Sequence, residues 1–316
     1  MPLTLEQYAN EYLDTRELPW PTMPKVEAPK ARPHVVPLSV RAVLWNVYGT
    51  LLAIPTGELQ YEAVLDFVTD AAFDKTIKEF NMWNSMSRKP GAPSAYMKEI
   101  FKNALTKLRL TGGGGERYPE VLAEKVWDDI VNKLMQKEYK FDASLYGPQS
   151  EFVKKIAYFF HASIQGTGCY PGAAEALRIV AESGRKQGLL ADAQCFTMAQ
   201  LQRGLNTQES GFAMQTVLSP MLRVLSCEHK ARKPSETLFD EAIGRLSAQG
   251  ISASETLHVG TNLERDIVPA KKAGMKTALF AGDKVSLIAT PEQLKDRKFR
   301  PDILLTELPQ IAEVFA

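Results

Sequence analysis

Ala42-Val43-Leu44-Trp45-Asn46-Val47-Tyr48-Gly49-Thr50-Leu51-Leu52 is an apolar run of the kind found in buried strands, broken by a glycine turn. A fully buried strand reads as continuous apolar sequence, because both of its faces are covered. In an open parallel sheet, ligands bind beyond the carboxyl ends of the strands. Asn46, the first polar residue past the run, therefore stands where chemistry is expected.

Working outward toward the C-terminus, the chain from Pro171 alternates short apolar runs with helical periods. Pro171-Gly172-Ala173 opens a helix that turns Ala173, Ala176, Leu177 and Val180 inward, and Gly184 closes it. Gly188 to Ala191, Leu222 to Leu225, Thr256 to Val259, Lys276 to Phe280 and Asp302 to Leu305 read as strands, the last before a terminal helix. Ser235 is placed to cap a helix with Leu238, Phe239, Ala242, Ile243 and Leu246 on one face. Asp266 to Ala273 reads as a helix stopped by Gly274. Alternation of this length predicts an α/β fold, a parallel sheet with helices on both faces.

Residues 57–165 carry helical periods without strand signals. Tyr61, Val64, Leu65 and Val68 recur at threes and fours, as do Ile100, Ala104 and Leu108, and Leu122, Val126 and Ile130. Gly112 to Gly115 form a connection between helices. This block is expected to be an all-helical cap inserted into a core made of residues 41–56 and 166–316. Residues 1–40 read as an extension. Leu3 to Leu13 can form a short amphipathic helix, and Pro19, Pro21, Pro24, Pro29, Pro33 and Pro37 then forbid a regular element, leaving a strap over the surface.

Of the 316 residues, 45% are hydrophobic and 24% charged, ordinary for a globular protein. Lys plus Arg (38) balances Asp plus Glu (37), so no global field recruits nucleic acid or an anionic membrane. Cys169, Cys195 and Cys227 are odd in number and suit buried thiols in a reducing compartment. No run approaches the roughly 18 apolar residues of a membrane span. The first residues lack a basic-then-apolar leader pattern, so a cytoplasmic location is the expectation.

Four stretches carry chemistry in a fixed order. The first is the Asn46 segment. The second is Gly188-Leu189-Leu190-Ala191-Asp192-Ala193, and the third is Arg232-Lys233-Pro234-Ser235-Glu236-Thr237-Leu238-Phe239. The fourth runs His258-Val259-Gly260-Thr261-Asn262-Leu263-Glu264-Arg265-Asp266 and ends Pro269-Ala270-Lys271-Lys272-Ala273-Gly274-Met275. Together they resemble the haloacid dehalogenase-like hydrolase superfamily, whose first motif is an apolar strand, Asp, any residue, Asp or Tyr, then Gly-Thr-Leu. The resemblance implies a Rossmann-like three-layer core with the helical cap after its first strand. Tyr48 in the third place, and Thr261 in place of an aspartate, are closest in spelling to the two-haloacid dehalogenase-like members.

The resemblance implies a catalytic set of Asn46, Tyr48, Thr50, Lys233 and Asp266. It implies substrate contacts from Ala191, Asp192, Thr261 and Asn262, with Lys233 as the cation that holds nucleophile and anion together. Asn46 stands where the family's nucleophilic aspartate stands. A carboxylate forms an adduct that hydrolyses, whereas a neutral amide is a poor nucleophile. Ala191 replaces a hydroxyl residue, and Asp192 is read either as facing Lys233 or as the N-cap of the next helix. His258 reads as a strand histidine with its needs met. Arg88, Lys89, Arg109, Arg117 and Tyr118 are cap residues in a position to face substrate.

Phosphatase-type relatives bind Mg²⁺ through the nucleophile, a backbone carbonyl two residues later and an acid of the fourth motif. Here Asn46, the Tyr48 carbonyl, Thr261 and Asp266 would form that set, with a single carboxylate, so Mg²⁺ is expected to bind weakly if at all. The expected ligand is a small anionic molecule, and homodimerisation through the cap is implied by resemblance. Two functions follow. One is a hydrolase of a phosphate ester or two-haloacid, impaired by Asn46. The other is a non-catalytic relative that binds a ligand or protein in the inherited cleft.

Overall fold

The computed structural model describes residues 1–86, 92–111 and 114–315. Among them, the strands are β1 (Ala42–Trp45), β2 (Leu52–Ala53), β3 (Gly168–Cys169), β4 (Lys186–Ala191), β5 (Arg223–Leu225), β6 (Thr256–Gly260), β7 (Lys276–Phe280) and β8 (Ile303–Leu305). Six of them make one sheet in the order β5-β4-β1-β6-β7-β8, parallel throughout. β1 lies at the centre, with Trp45 opposite Leu189 on one side and Val259 on the other.

Successive residues of β1 point to opposite faces. Val43 and Trp45 enter one apolar cluster with Leu189, Leu257 and the helix Ala173–Glu182. Ala42 and Leu44 enter another with Leu190, Val224 and the helix Glu236–Ser247. Both faces are covered, which accounts for the unbroken apolar spelling of the strands. The chain adopts the α/β class and three-layer parallel core expected from its sequence.

β2 and β3 pair antiparallel, Leu52 opposite Cys169 and Ala53 opposite Gly168. The two stems of the inserted segment are thereby tied together at its base. Between them lie helices Asp66–Glu79, Pro93–Thr111, Ala123–Met135, Ala143–Tyr146 and Gln149–Ile164. They close over a separate core in which Phe73, Phe101, Trp127 and Phe160 pack ring against ring. The helical period read from Tyr61 begins too early. The first cap helix starts at Asp66, and Val64 and Leu65 are 81% and 55% exposed. A period over a few residues cannot separate an apolar approach segment from a helix. Arg88, Lys89, Gly112 and Gly113 lie outside the described residues.

The N-terminal segment is helical from Leu5 to Arg16, in short α, π and 3₁₀ pieces. Tyr8, Ala9 and Leu13 sink into the cap core. Arg203 of the core donates to the Ala9 carbonyl at 2.9 Å and pairs with Asp14 at 2.7 Å. The chain then runs extended past Gly166 and Gly168, where any side chain would strike Thr22 and Met23. The Glu27 N–H donates to Asp283, and His34 bridges antiparallel to Leu304 on the edge strand β8. That bridge covers part of a sheet edge that would otherwise be open to pairing.

Two local readings change. The helix expected over 266–273 begins earlier, as a π-turn Leu263–Ile267 leading into Val268–Lys272, because the Asn262 side chain caps the turn at Glu264 and Arg265. The terminal helix is a 3₁₀ stretch, Leu308–Val314. Among the described residues no helix is long and apolar enough to cross a membrane.

Candidate functional site

Asn46, Asp192 and Thr261 are the first residues past β1, β4 and β6, three neighbouring strands, and all three line one cleft. Its cavity is about 60 Å³. At roughly 15 Å³ per water, that is room for about four waters or one small oxyanion.

The Asn46 amide is fixed at both ends. Its Nδ2 donates to the Tyr48 carbonyl at 2.9 Å, and its Oδ1 accepts from Lys233 Nζ at 2.9 Å. Lys233 is buried and also donates to Asp266 Oδ1. The other Asp266 oxygen accepts from the backbone N–H groups of Thr261 and Asn262, each at 2.9 Å. Gly260 keeps room for that carboxylate, since a Cβ there would collide with it. Burial raises the Asp266 carboxyl, but the Lys233 ammonium pulls it well below the ordinary aspartate range. His258 Nδ1 lies 3.1 Å from the Leu44 carbonyl, and burial lowers the imidazole's pKa, which keeps it neutral.

Several expected site residues have other work. The Tyr48 hydroxyl donates to Gln200 at 2.6 Å and lies 2.9 Å from Thr197 Oγ1, so it faces the helix Thr197–Gln208. Burial pushes that phenol far up. Thr50 is fully buried and Ala191 packs in the apolar core, and neither lines the cleft. Ala191 is the last residue of β4, and the cleft begins one residue later. Asn262 lines the cleft, but its Oδ1 is spent on the cap of the following turn. Asp192 Oδ1 accepts from the backbone N–H of Lys233 at 2.7 Å, so it is not the cap of the next helix, whose N-terminus has no side-chain cap. Burial raises the Asp192 carboxyl, partly offset by Lys233 and Arg232.

The cap closes the cleft by a different route from the one expected. Arg109 is exposed, and Arg117 and Tyr118 line a separate groove near Ser235 and Lys272. Tyr61 and Glu120 reach the cleft instead. Residues 118–120 pair with 230–232: the Arg232 N–H donates to the Tyr118 carbonyl at 2.8 Å and the Glu120 N–H to the Lys230 carbonyl at 3.1 Å. Gln194 accepts from the Ala123 N–H at 2.8 Å and donates to Tyr61 and the Val121 carbonyl at 2.9 Å. The sequence marks neither Glu120 nor Gln194, and Tyr61 only as part of a helical period. Arg232 stands beside Lys233 in the third motif, and its neighbour drew the reading away from it.

Residues 230–311, which hold Lys233, Thr261 and Asp266, match the family model described as HAD-hydrolase-like. Over that stretch the chain is similar to the haloacid dehalogenase-like hydrolases. It is 29% identical over 144 residues to the glyceraldehyde 3-phosphate phosphatase of Pyrococcus furiosus, a stretch covering 46% of this chain and 53% of that protein. The match thus spans about half of that curated relative. The structure is similar to that of a 2-haloacid dehalogenase from Pseudomonas syringae pv. tomato DC3000, at 18% identity, 87% of this chain, 97% of that one and a TM-score of 0.54, a likeness of fold.

Many superfamily members hold Mg²⁺ where the first and fourth motifs meet, and the donor set here does not fit it. Mg²⁺ needs free oxygen ligands in near-octahedral array. The Asp266 oxygens, Asn46 Oδ1 and the Tyr48 carbonyl each already face an N–H donor.

Proposed function

We propose that this chain binds a small anion in its cleft and does not carry out the family's covalent step. The Asn46 amide carries the reading. Its oxygen accepts from Lys233 and its nitrogen donates to Tyr48, so the group at the attacking position is neutral and fixed. Loss of a covalent nucleophile costs on the order of 10⁴–10⁶ in turnover in other enzymes. Its neighbours do not replace it, because the Tyr48 phenol is spent and the Asp266 carboxylate is paired with Lys233. A cytoplasmic setting suits the three free thiols.

Turnover of generic phosphomonoesters and two-haloacids, with and without Mg²⁺, by the natural chain beside Asn46→Asp tests the proposal. The natural chain is expected to be inactive. Robust turnover by it would sink the reading. Activity that appears only in Asn46→Asp would show that the rest of the hydrolytic apparatus is intact.

A further inference from the structure

Arg232 lines the cleft half-buried, and its guanidinium makes no hydrogen bond or ion pair among the described residues. Lys233, one residue on, is committed to Asn46 and Asp266. The cation left for a ligand is therefore Arg232, whose planar fork suits carboxylate and phosphate oxygens. Acidic groups surround it: Asp192, Glu120 and Glu58, with the Tyr61 phenol beyond them. Asp192 turns one oxygen to the Lys233 N–H. Glu58 pairs with Arg265 at 2.8 Å. Glu120 has no cation of its own.

Glu120 Oε1 accepts from the Val121 N–H at 3.0 Å and the Tyr61 hydroxyl at 3.4 Å, and Oε2 meets Ser226. Ser226 Oγ lies 2.6 Å from Glu120 Oε2, accepts from the Ala193 N–H at 2.8 Å and lies 3.0 Å from the Ala193 carbonyl. A hydroxyl has one proton to give and two lone pairs. With Glu120 ionised, Ser226 must donate to it and leave the Ala193 carbonyl without that donor. With Glu120 protonated, the acid donates to Ser226, and Ser226 donates to Ala193. All three contacts are then met at once.

We propose that Arg232 is the anchor for the ligand's oxyanion and that Glu120 makes its binding proton-linked, because a neutral Glu120 no longer sets a negative charge against the incoming anion. This rests on the reading of the cleft as an anion site. Burial first, and the nearby Asp192 charge second, push the Glu120 carboxyl up to about 7, against the opposing pull of Ser226 and Arg232. The groups that face Glu120 are Asp192 past β4, Arg232 in the third motif, Tyr61 at the cap's approach and Cys227 past β5. The switch thus works near neutral pH, across the seam between cap and core.

Sulfate and acetate are suitable probes, because neither titrates above about pH 6 and any pH dependence then belongs to the protein. Titration calorimetry on the full chain should show affinity falling about tenfold between pH 6 and pH 8. Glu120→Gln should bind with no slope across that range, at least as tightly as the natural chain at pH 6. Arg232→Ala should lose binding at every pH while keeping the circular dichroism of the natural chain. Binding retained in Arg232→Ala, or a slope that persists in Glu120→Gln and vanishes in Asp192→Asn, overturns the proposal and leaves anion binding intact. Failure of the natural chain to bind either probe overturns both the proposal and the anion-site reading beneath it.

Discussion

Lys233 Nζ donates to Asn46 Oδ1 at 2.9 Å while also holding Asp266, so one buried ammonium joins the ends of β1 and β6. The ammonium balances one carboxylate and one amide dipole, where the family pattern has two carboxylates. Its removal leaves Asp266 buried and uncompensated.

Lys233→Met is therefore expected to destabilise the fold by about 3–5 kcal/mol, the range for breaking a buried pair from one side. Urea unfolding at neutral pH measures it. A loss under about 1 kcal/mol would mean that the two Asp266-bound N–H groups carry the charge unaided.

Asp266 predicts a second, acid-side effect. Its folded pKa is depressed, so the unfolded chain binds more protons in the acid range and the contribution to stability rises with pH. That contribution is complete above the ordinary aspartate pKa of about 3.9 and drains away as pH falls below it. Thermal melts at pH 3 and pH 6 should differ less in Asp266→Asn than in the natural chain.

Glu120 has the opposite sign. Its folded pKa of about 7 lies above its unfolded value, so the native state keeps a proton that the unfolded chain has lost. Its contribution to stability is complete below about pH 4.5 and is lost as pH rises to 7, on the order of 3 kcal/mol over the interval. Glu120→Gln should flatten that decline in urea unfolding between pH 5 and pH 8. An unchanged decline would place the titrating group elsewhere.

Gly49 turns the chain after Asn46 with φ +80, and a Cβ there would stand 2.9 Å from Thr261 Oγ1. Gly49→Ala should cost at least 1 kcal/mol through backbone strain alone, more with the clash. Thermal unfolding of that variant beside Gly114→Ala, whose added Cβ meets nothing within 4 Å, separates the clash from the backbone conformation.

The sequence made the parallel core legible because buried parallel strands are spelled without interruption and each ends on a turn. Asn46, Lys233, Thr261 and Asp266 were legible as well, since each lies within a few residues of a strand end. Glu120 and Tyr61 were not, because they reach the cleft only through the pairing of 118–120 with 230–232, a contact between segments over a hundred residues apart. Thr50 lies within a motif yet is buried away from the cleft, and Asn262 Oδ1 caps a turn, because a motif records position in the chain and says nothing of where a side chain points.

The strap that runs from Tyr8 in the cap core to His34 at the sheet edge has a thermodynamic consequence. Two hydrophobic cores joined by β2 and β3 and by the seam of 118–120 with 230–232 still meet over small contacts, which leaves room for them to melt separately. A further crossing, sealed into one core by Tyr8 and Leu13 and tied to the other by Glu27 and His34, couples their unfolding. The calorimetric signature is one transition for the whole chain, and it splits in two when the strap is cut between Leu18 and Glu27.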